Sequence, residues 1–67
     1  MAEEINMVRE SEYCVHLIGP LGTLRMIKLK AKKVVMDDSF ITFYDRYGCV
    51  SGQFRKNTLL GYAKKED

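Results

Sequence analysis

Few side chains in this sequence could do covalent chemistry. His16 is the sole histidine, and Cys14 and Cys49 are the two cysteines. A Cys-His nucleophile needs its thiol beside the ring and a third group to orient the imidazole. Cys14 and His16 are two apart, which puts them on one face of an extended segment with their Cβ atoms several ångströms apart. No third partner is implied by the spacing, so His16 reads as a strand residue, hydrogen-bonded or exposed. Asp37 and Asp38 are adjacent and splay apart, which with Ser39 suits a turn better than a paired acid and base. No Gly-x-Ser-x-Gly, His-Glu-x-x-His or phosphate-loop spacing is present. Two cysteines and one histidine also fall short of a structural zinc site of four ligands. The expectation is a protein without catalytic activity, metal or cofactor.

A second kind of chemistry is electrostatic. Lys28, Lys30 and Lys32, with Arg25 and Lys33 nearby, form a basic row in residues 25–33, a local balance of +5. Residues 1–12 carry Glu3, Glu4, Glu10 and Glu12 against Arg9, a balance of −3, although the whole chain is only +2. Such asymmetry concerns partners and not fold. It permits head-to-tail self-contact as well as binding to a polyanion. Lysines could track a phosphate backbone while Tyr44 or Tyr47 stacks on bases. Arg46-Tyr47-Gly48-Cys49-Val50 resembles the basic-aromatic-glycine strand of cold-shock and related modules. That resemblance covers five residues and lacks the family's second aromatic strand, so no role is carried over from it. The plainer reading of the lysines is a wet strand face that discourages edge pairing.

These residues need a scaffold, and the pattern of the chain predicts an all-β one. Tyr13 to Ile18 reads as a strand ended by the turn Gly19-Pro20-Leu21-Gly22. From Thr23 to Met36 an extended segment follows, in which Ile27, Leu29 and Ala31 alternate with the lysines. Leu24 and Met26 sit on the lysine parity, and Val34-Val35-Met36 is continuous, so the phase breaks on both sides. A bulge or bend near Lys32-Lys33 would reset it. Phe40 to Tyr44 and Cys49 to Phe54 flank Asp45-Arg46-Tyr47-Gly48, a hairpin turn with glycine last. In one register Tyr44 faces Val50, Thr42 faces Gly52 and Phe40 faces Phe54. A slip by one joins Val50 and Phe54 to Ile41 and Phe43. Either way both faces carry large apolar groups, and the sheet must curl or meet a partner.

The chain should therefore be a single small β domain over residues 1–67, with a loose arm at 1–10 and a solvated tail at 64–67. Four or five antiparallel strands are predicted at 12–18, 23–31, 33–36, 39–45 and 49–55, curled towards a small barrel around the central hairpin at 39–55. A short strand is favoured over a helical turn at 58–63, because Gly61 weakens a helix. A chain of 67 residues buries only about 60% of its unfolded surface, and self-association would supply the missing cover. No apolar run approaches the roughly 20 residues of a membrane span. The acidic Met1-Ala2-Glu3-Glu4 does not begin a signal peptide. Two reduced, half-buried thiols then imply a cytoplasmic protein.

Two functions compete at this level. The preferred one is a small, self-associating protein–protein interaction module that binds a larger protein stoichiometrically, in the manner of phage and mobile-element inhibitors or regulators. Its apolar contacts would come from Phe40, Phe43, Tyr44, Tyr47 and Phe54, and its basic ones from Arg25, Lys28, Lys30 and Lys32. The alternative is a nucleic-acid-binding small β-barrel using the lysine row and the hairpin aromatics.

Overall fold

The computed structural model describes residues 3–65, so Met1 and Ala2 of the predicted arm and Glu66 and Asp67 of the predicted tail lie outside the described residues. Five strands follow one another: β1 (Glu3–Ile18), β2 (Leu24–Met36), β3 (Phe40–Tyr44), β4 (Val50–Arg55) and β5 (Leu59–Lys64). Short 3₁₀ turns at Pro20–Gly22 and Lys56–Thr58 join β1 to β2 and β4 to β5. All pairings are antiparallel, and the strands form one sheet in the order β4-β3-β2-β1-β5.

Three predicted boundaries are corrected. Residues 3–10 are not a loose arm but the first part of β1, with Glu3 opposite Met36 and Ile5 opposite Val34. The backbone of Val34–Met36 has β3 on one side and needs a second ladder on the other, which these residues supply. Their period was hidden because β1 is interrupted: between the pairs Asn6–Lys33 and Ser11–Ala31, the four residues Met7 to Glu10 oppose Lys32 alone. The predicted strands at 23–31 and 33–36 are likewise one strand, β2, bent where the phase breaks. Ala31 and Val34 are both buried although three residues apart, so the inward face changes parity across Lys32-Lys33. At the other end Lys64 belongs to β5, and the Lys65 amide donates to the Glu12 carbonyl at 2.8 Å, so neither is part of a tail.

The sheet curls tightly. Strands β3 and β5 are three neighbours apart, which in a flat sheet would be about 14 Å. Yet the rings of Phe43 on β3 and Tyr62 on β5 have centroids 5.6 Å apart, and Phe43 also lies 5.6 Å from Tyr13 on β1. The inner face is thus wrapped around one aromatic cluster, with Val15, Ala31, Val34 and Ile41 buried beside it. The edge strands β4 and β5 make no ladder with each other, so the barrel stays open. Near the bend β4 leans on β2: the Ser51 hydroxyl donates to the Lys30 carbonyl at 2.7 Å. A Cβ at Gly52 would come within 3.0 Å of Leu29 Cδ2, so this approach depends on glycine.

The hairpin turn forms as its residues predict. Gly48 has φ +80°, its amide donates to the Asp45 carbonyl, and the Asp45 amide donates to the Cys49 carbonyl. Asp45 Oδ1 accepts from the Tyr47 and Cys49 amides. Register then combines both sequence alternatives. Tyr44 faces Val50, but beyond an irregularity Phe43 faces Gly52 and Ile41 faces Phe54. The slip places Phe54 on the inner face, edge-on to Phe43 with centroids 6.1 Å apart. Packing of that fourth aromatic ring against the core is what selects the shifted register.

Candidate interaction surfaces

The residues that could do covalent chemistry are not gathered. Cys14 and His16 share the outer face of β1, as their spacing requires. Their cross-strand neighbours there are Lys28 and Met26 on β2, and Ala63 and Gly61 on β5. None of those side chains is a carboxylate or amide that would accept the imidazole N–H. Both cysteines are free; Cys14 is half-buried, whereas Cys49 is exposed because it closes the hairpin turn. Among the described residues no three His, Cys, Asp or Glu side chains come together to hold a metal ion. No helix among them is long and apolar enough to cross a membrane.

The shifted carboxyl groups serve local structure. Asp37 is held below the usual carboxylate range by the Phe40 and Ser39 amides, which its Oδ1 accepts at 2.7 and 2.8 Å. Glu4 is lowered by the Asn6 side-chain amide and by Lys33, whose Nζ lies 3.2 Å from its carboxylate.

The aromatic residues named from the sequence divide between core and surface. Phe43 is fully buried, and it offers no surface to a partner. Phe54 packs against the core beside it. Phe40 and Tyr44 lie half-buried on the outer face of β3, each under a cation: Arg55 is 5.9 Å from the Phe40 centroid and Lys33 is 5.3 Å from that of Tyr44. Tyr47 is 76% exposed at the turn, with the Arg46 guanidinium 5.0 Å from its ring centroid.

The basic residues also separate. Lys28 and Lys30 point outward from β2, opposite Cys14 and Glu12, and Lys32 continues the row into the bend. Arg25 lies opposite Leu17 on the inward parity and is exposed only because it sits at the hairpin end. Glu12 is engaged with Lys65, at 3.7 Å.

A surface that the sequence reading did not single out lies on the same outer face, nearer the β1–β2 turn. Ile18 faces Leu24 and His16 faces Met26 across the two strands, with Leu24 75% and Met26 57% exposed. On β5 the register shifts between Leu17–Leu59 and His16–Gly61, leaving Leu60 as the extra residue. Because Leu59 packs inward, Leu60 turns out with Gly61 and is 57% exposed. A Cβ at Gly61 would meet nothing within 4 Å, so the outer surface is open there. Leu21, at the tip, is fully exposed in the left-handed region at φ 59°. That conformation costs a leucine about 1–2 kcal/mol relative to ordinary backbone. The signal for this surface was in the sequence: Leu24 and Met26 break the inside–outside alternation by standing in line with the lysines. Comparison with protein-family models, with curated proteins and with solved structures finds no match to this chain.

Proposed function

We propose that this protein is a non-catalytic, self-associating protein-interaction module. Its contact surface is the outer face of β5, β1 and the first half of β2, and it inhibits or regulates a larger protein by stoichiometric binding. The observation that carries this reading is the apolar cluster Ile18, Leu24, Met26 and Leu60 at the surface of the sheet, with a fully exposed Leu21 beside it. Contiguous apolar surface of this kind, bordered by charged residues, is what interaction sites present. Two free thiols, Cys14 and Cys49, fit work in the reducing cytoplasm. Lys28 and Lys30 border the cluster as rim charges that steer association more than they hold it. The test is a purified complex with a host protein of known identity. Sedimentation should give a fixed stoichiometry, and Met26→Asp should abolish binding without loss of the β-sheet dichroism. Unchanged binding by that variant would refute the assignment of the surface.

A second reading, nucleic-acid binding, draws on the cation-capped rings of Tyr44 and Tyr47 and the row Lys28, Lys30 and Lys32. Phosphate contacts weaken steeply with salt, by about 0.7 to 0.9 in log–log slope per contact. A micromolar, salt-sensitive complex with single-stranded DNA, weakened by Tyr47→Ala, would establish it in place of the first.

A further inference from the structure

We propose that Cys14, His16 and Met26 form a binding site for a soft monovalent metal ion, copper(I), on the outer face of β1 and β2. Cysteine and histidine alone are too few in this chain for a structural zinc site. A closed-shell monovalent ion needs fewer ligands, and thiolate and thioether sulfurs are the donors that select copper(I). The sheet places such donors together. Cys14 and His16 stand two apart on β1, and Met26 is directly opposite His16 on β2. Side chains in those relations share one side of a sheet. The Cβ atoms of such a directly opposed pair, here His16 and Met26, are about 5 Å apart, and a diagonal pair such as Cys14 and Met26 is about 7–8 Å apart. An ion bonded to the Cys14 sulfur above this triangle is within reach of the imidazole and of a thioether on three rotatable bonds.

The surroundings suit such an ion. On the other flank Cys14 faces Ala63 and His16 faces Gly61, so β5 offers only small groups there. A Cβ at Gly61 would meet nothing within 4 Å, which leaves open space beside the imidazole. His16 and Met26 are exposed, and Cys14 is free and half-buried. Met7 and Met36 pack against the core, and the Met7 sulfur accepts from the Tyr13 hydroxyl, whereas Met26 presents its thioether to solvent. Lys28 faces Cys14 across the ladder. A copper(I)–thiolate pair is neutral, but a dication on one thiolate keeps a positive charge that the ammonium repels, so Lys28 favours the monovalent ion.

Met26 also belongs to the proposed contact surface, yet the two assignments separate. Met26→Leu keeps the surface apolar and removes the thioether. Under anaerobic, reducing conditions the chain should retain one copper(I) ion against a chromophoric chelator. Silver(I), a redox-inert probe, should shift the imidazole proton resonances of His16, assignable without a variant because it is the sole histidine. Cys14→Ser should abolish retention, and Cys49→Ser should leave it unchanged. His16→Gln and Met26→Leu should each weaken affinity about 10–100-fold or more, since even partners outside a ligand set contribute that much. Wild-type affinity in both of those variants would leave Cys14 acting as a lone thiol and overturns the proposal. Loss of retention in Cys49→Ser overturns it too, as do silent His16 resonances or a single ion bridging two chains. Unchanged copper(I) affinity in Met26→Leu, beside loss of an identified partner from Met26→Asp, would refute this site and uphold the contact surface. Lost copper(I) affinity in Met26→Leu, with partner binding as in wild type, upholds both.

Discussion

Phe43 is the residue on which most of the core converges, through Tyr13, Phe54 and Tyr62. Truncation of a buried phenylalanine to alanine typically costs 3–5 kcal/mol. A domain of this length has about 3–10 kcal/mol of stability in all. Phe43→Ala should therefore leave a largely unfolded chain at 37 °C, seen as loss of the urea unfolding transition. Tyr13 makes a second prediction. Burial, reinforced by the neighbouring Tyr62, pushes its phenol up from the ordinary value. The folded state thus favours the protonated ring. Its contribution is complete below the unfolded tyrosine value near 10 and is lost as pH rises through the higher folded value. Ultraviolet titration should show one tyrosine ionising late, and Tyr13→Phe should remove that step. Asp37 has the opposite sign. Its depressed carboxyl contributes above the unfolded aspartate range and is lost as pH falls through the folded value. Asp37→Asn should accordingly flatten the acid limb of the stability curve. The Asp37-Asp38-Ser39 turn was legible because its residue types are specific to turns. Phe43 was legible as a large apolar strand residue, but its side of the sheet was not, since both faces of the hairpin carry large apolar groups in either register.

Among the elements, the β1–β2 hairpin carries both the bend and the proposed contact surface. Its tip holds Leu21 in a backbone region that asparagine tolerates better. Leu21→Asn should raise stability by up to about 1 kcal/mol, or about 4–8 °C in Tm for a domain of this size. If the tip contributes to binding, the same change should weaken the complex. An unchanged or lower Tm would mean that Leu21 packs against something in the free protein. The strand content of this hairpin was readable from alternation in its middle, where Ile27, Leu29 and Ala31 point inward. Its first part was not, because the Met7–Glu10 bulge scrambles the period, and pairing with Val34–Met36 is a tertiary fact. On β4, Gly52 was readable as a strand glycine, but the close approach of Leu29 that requires it comes from the curl of the sheet.

At the scale of the whole molecule, the all-β class followed from period-two alternation with turn residues between the runs, and apolar residues on both faces of the hairpin called for either a curl or a partner. The proposed contact surface was harder to see, because it is assembled from three strands and includes a residue, Leu60, turned outward by a register shift. Changing Lys28, Lys30 and Lys32 together to glutamine should leave the fold intact and slow association with the proposed protein partner modestly, since exposed rim charges contribute little affinity each. Loss of affinity by orders of magnitude for an oligonucleotide would instead favour the nucleic-acid reading.

The pairing of β5 with β1 bears on how the chain is made. Tyr13 faces Lys64 and Val15 faces Tyr62, so strands from near opposite ends of the described chain must meet. A polypeptide synthesised only as far as Thr58 has β1 to β4 but no cover for Tyr13 or Phe43 from Tyr62. Folding is therefore withheld until the β5 residues have emerged from the ribosome, and a nascent chain stalled before Leu59 should remain sensitive to protease. Closure of so long a loop places refolding towards the millisecond-to-second range of non-local β domains, and stopped-flow dilution from urea would measure it.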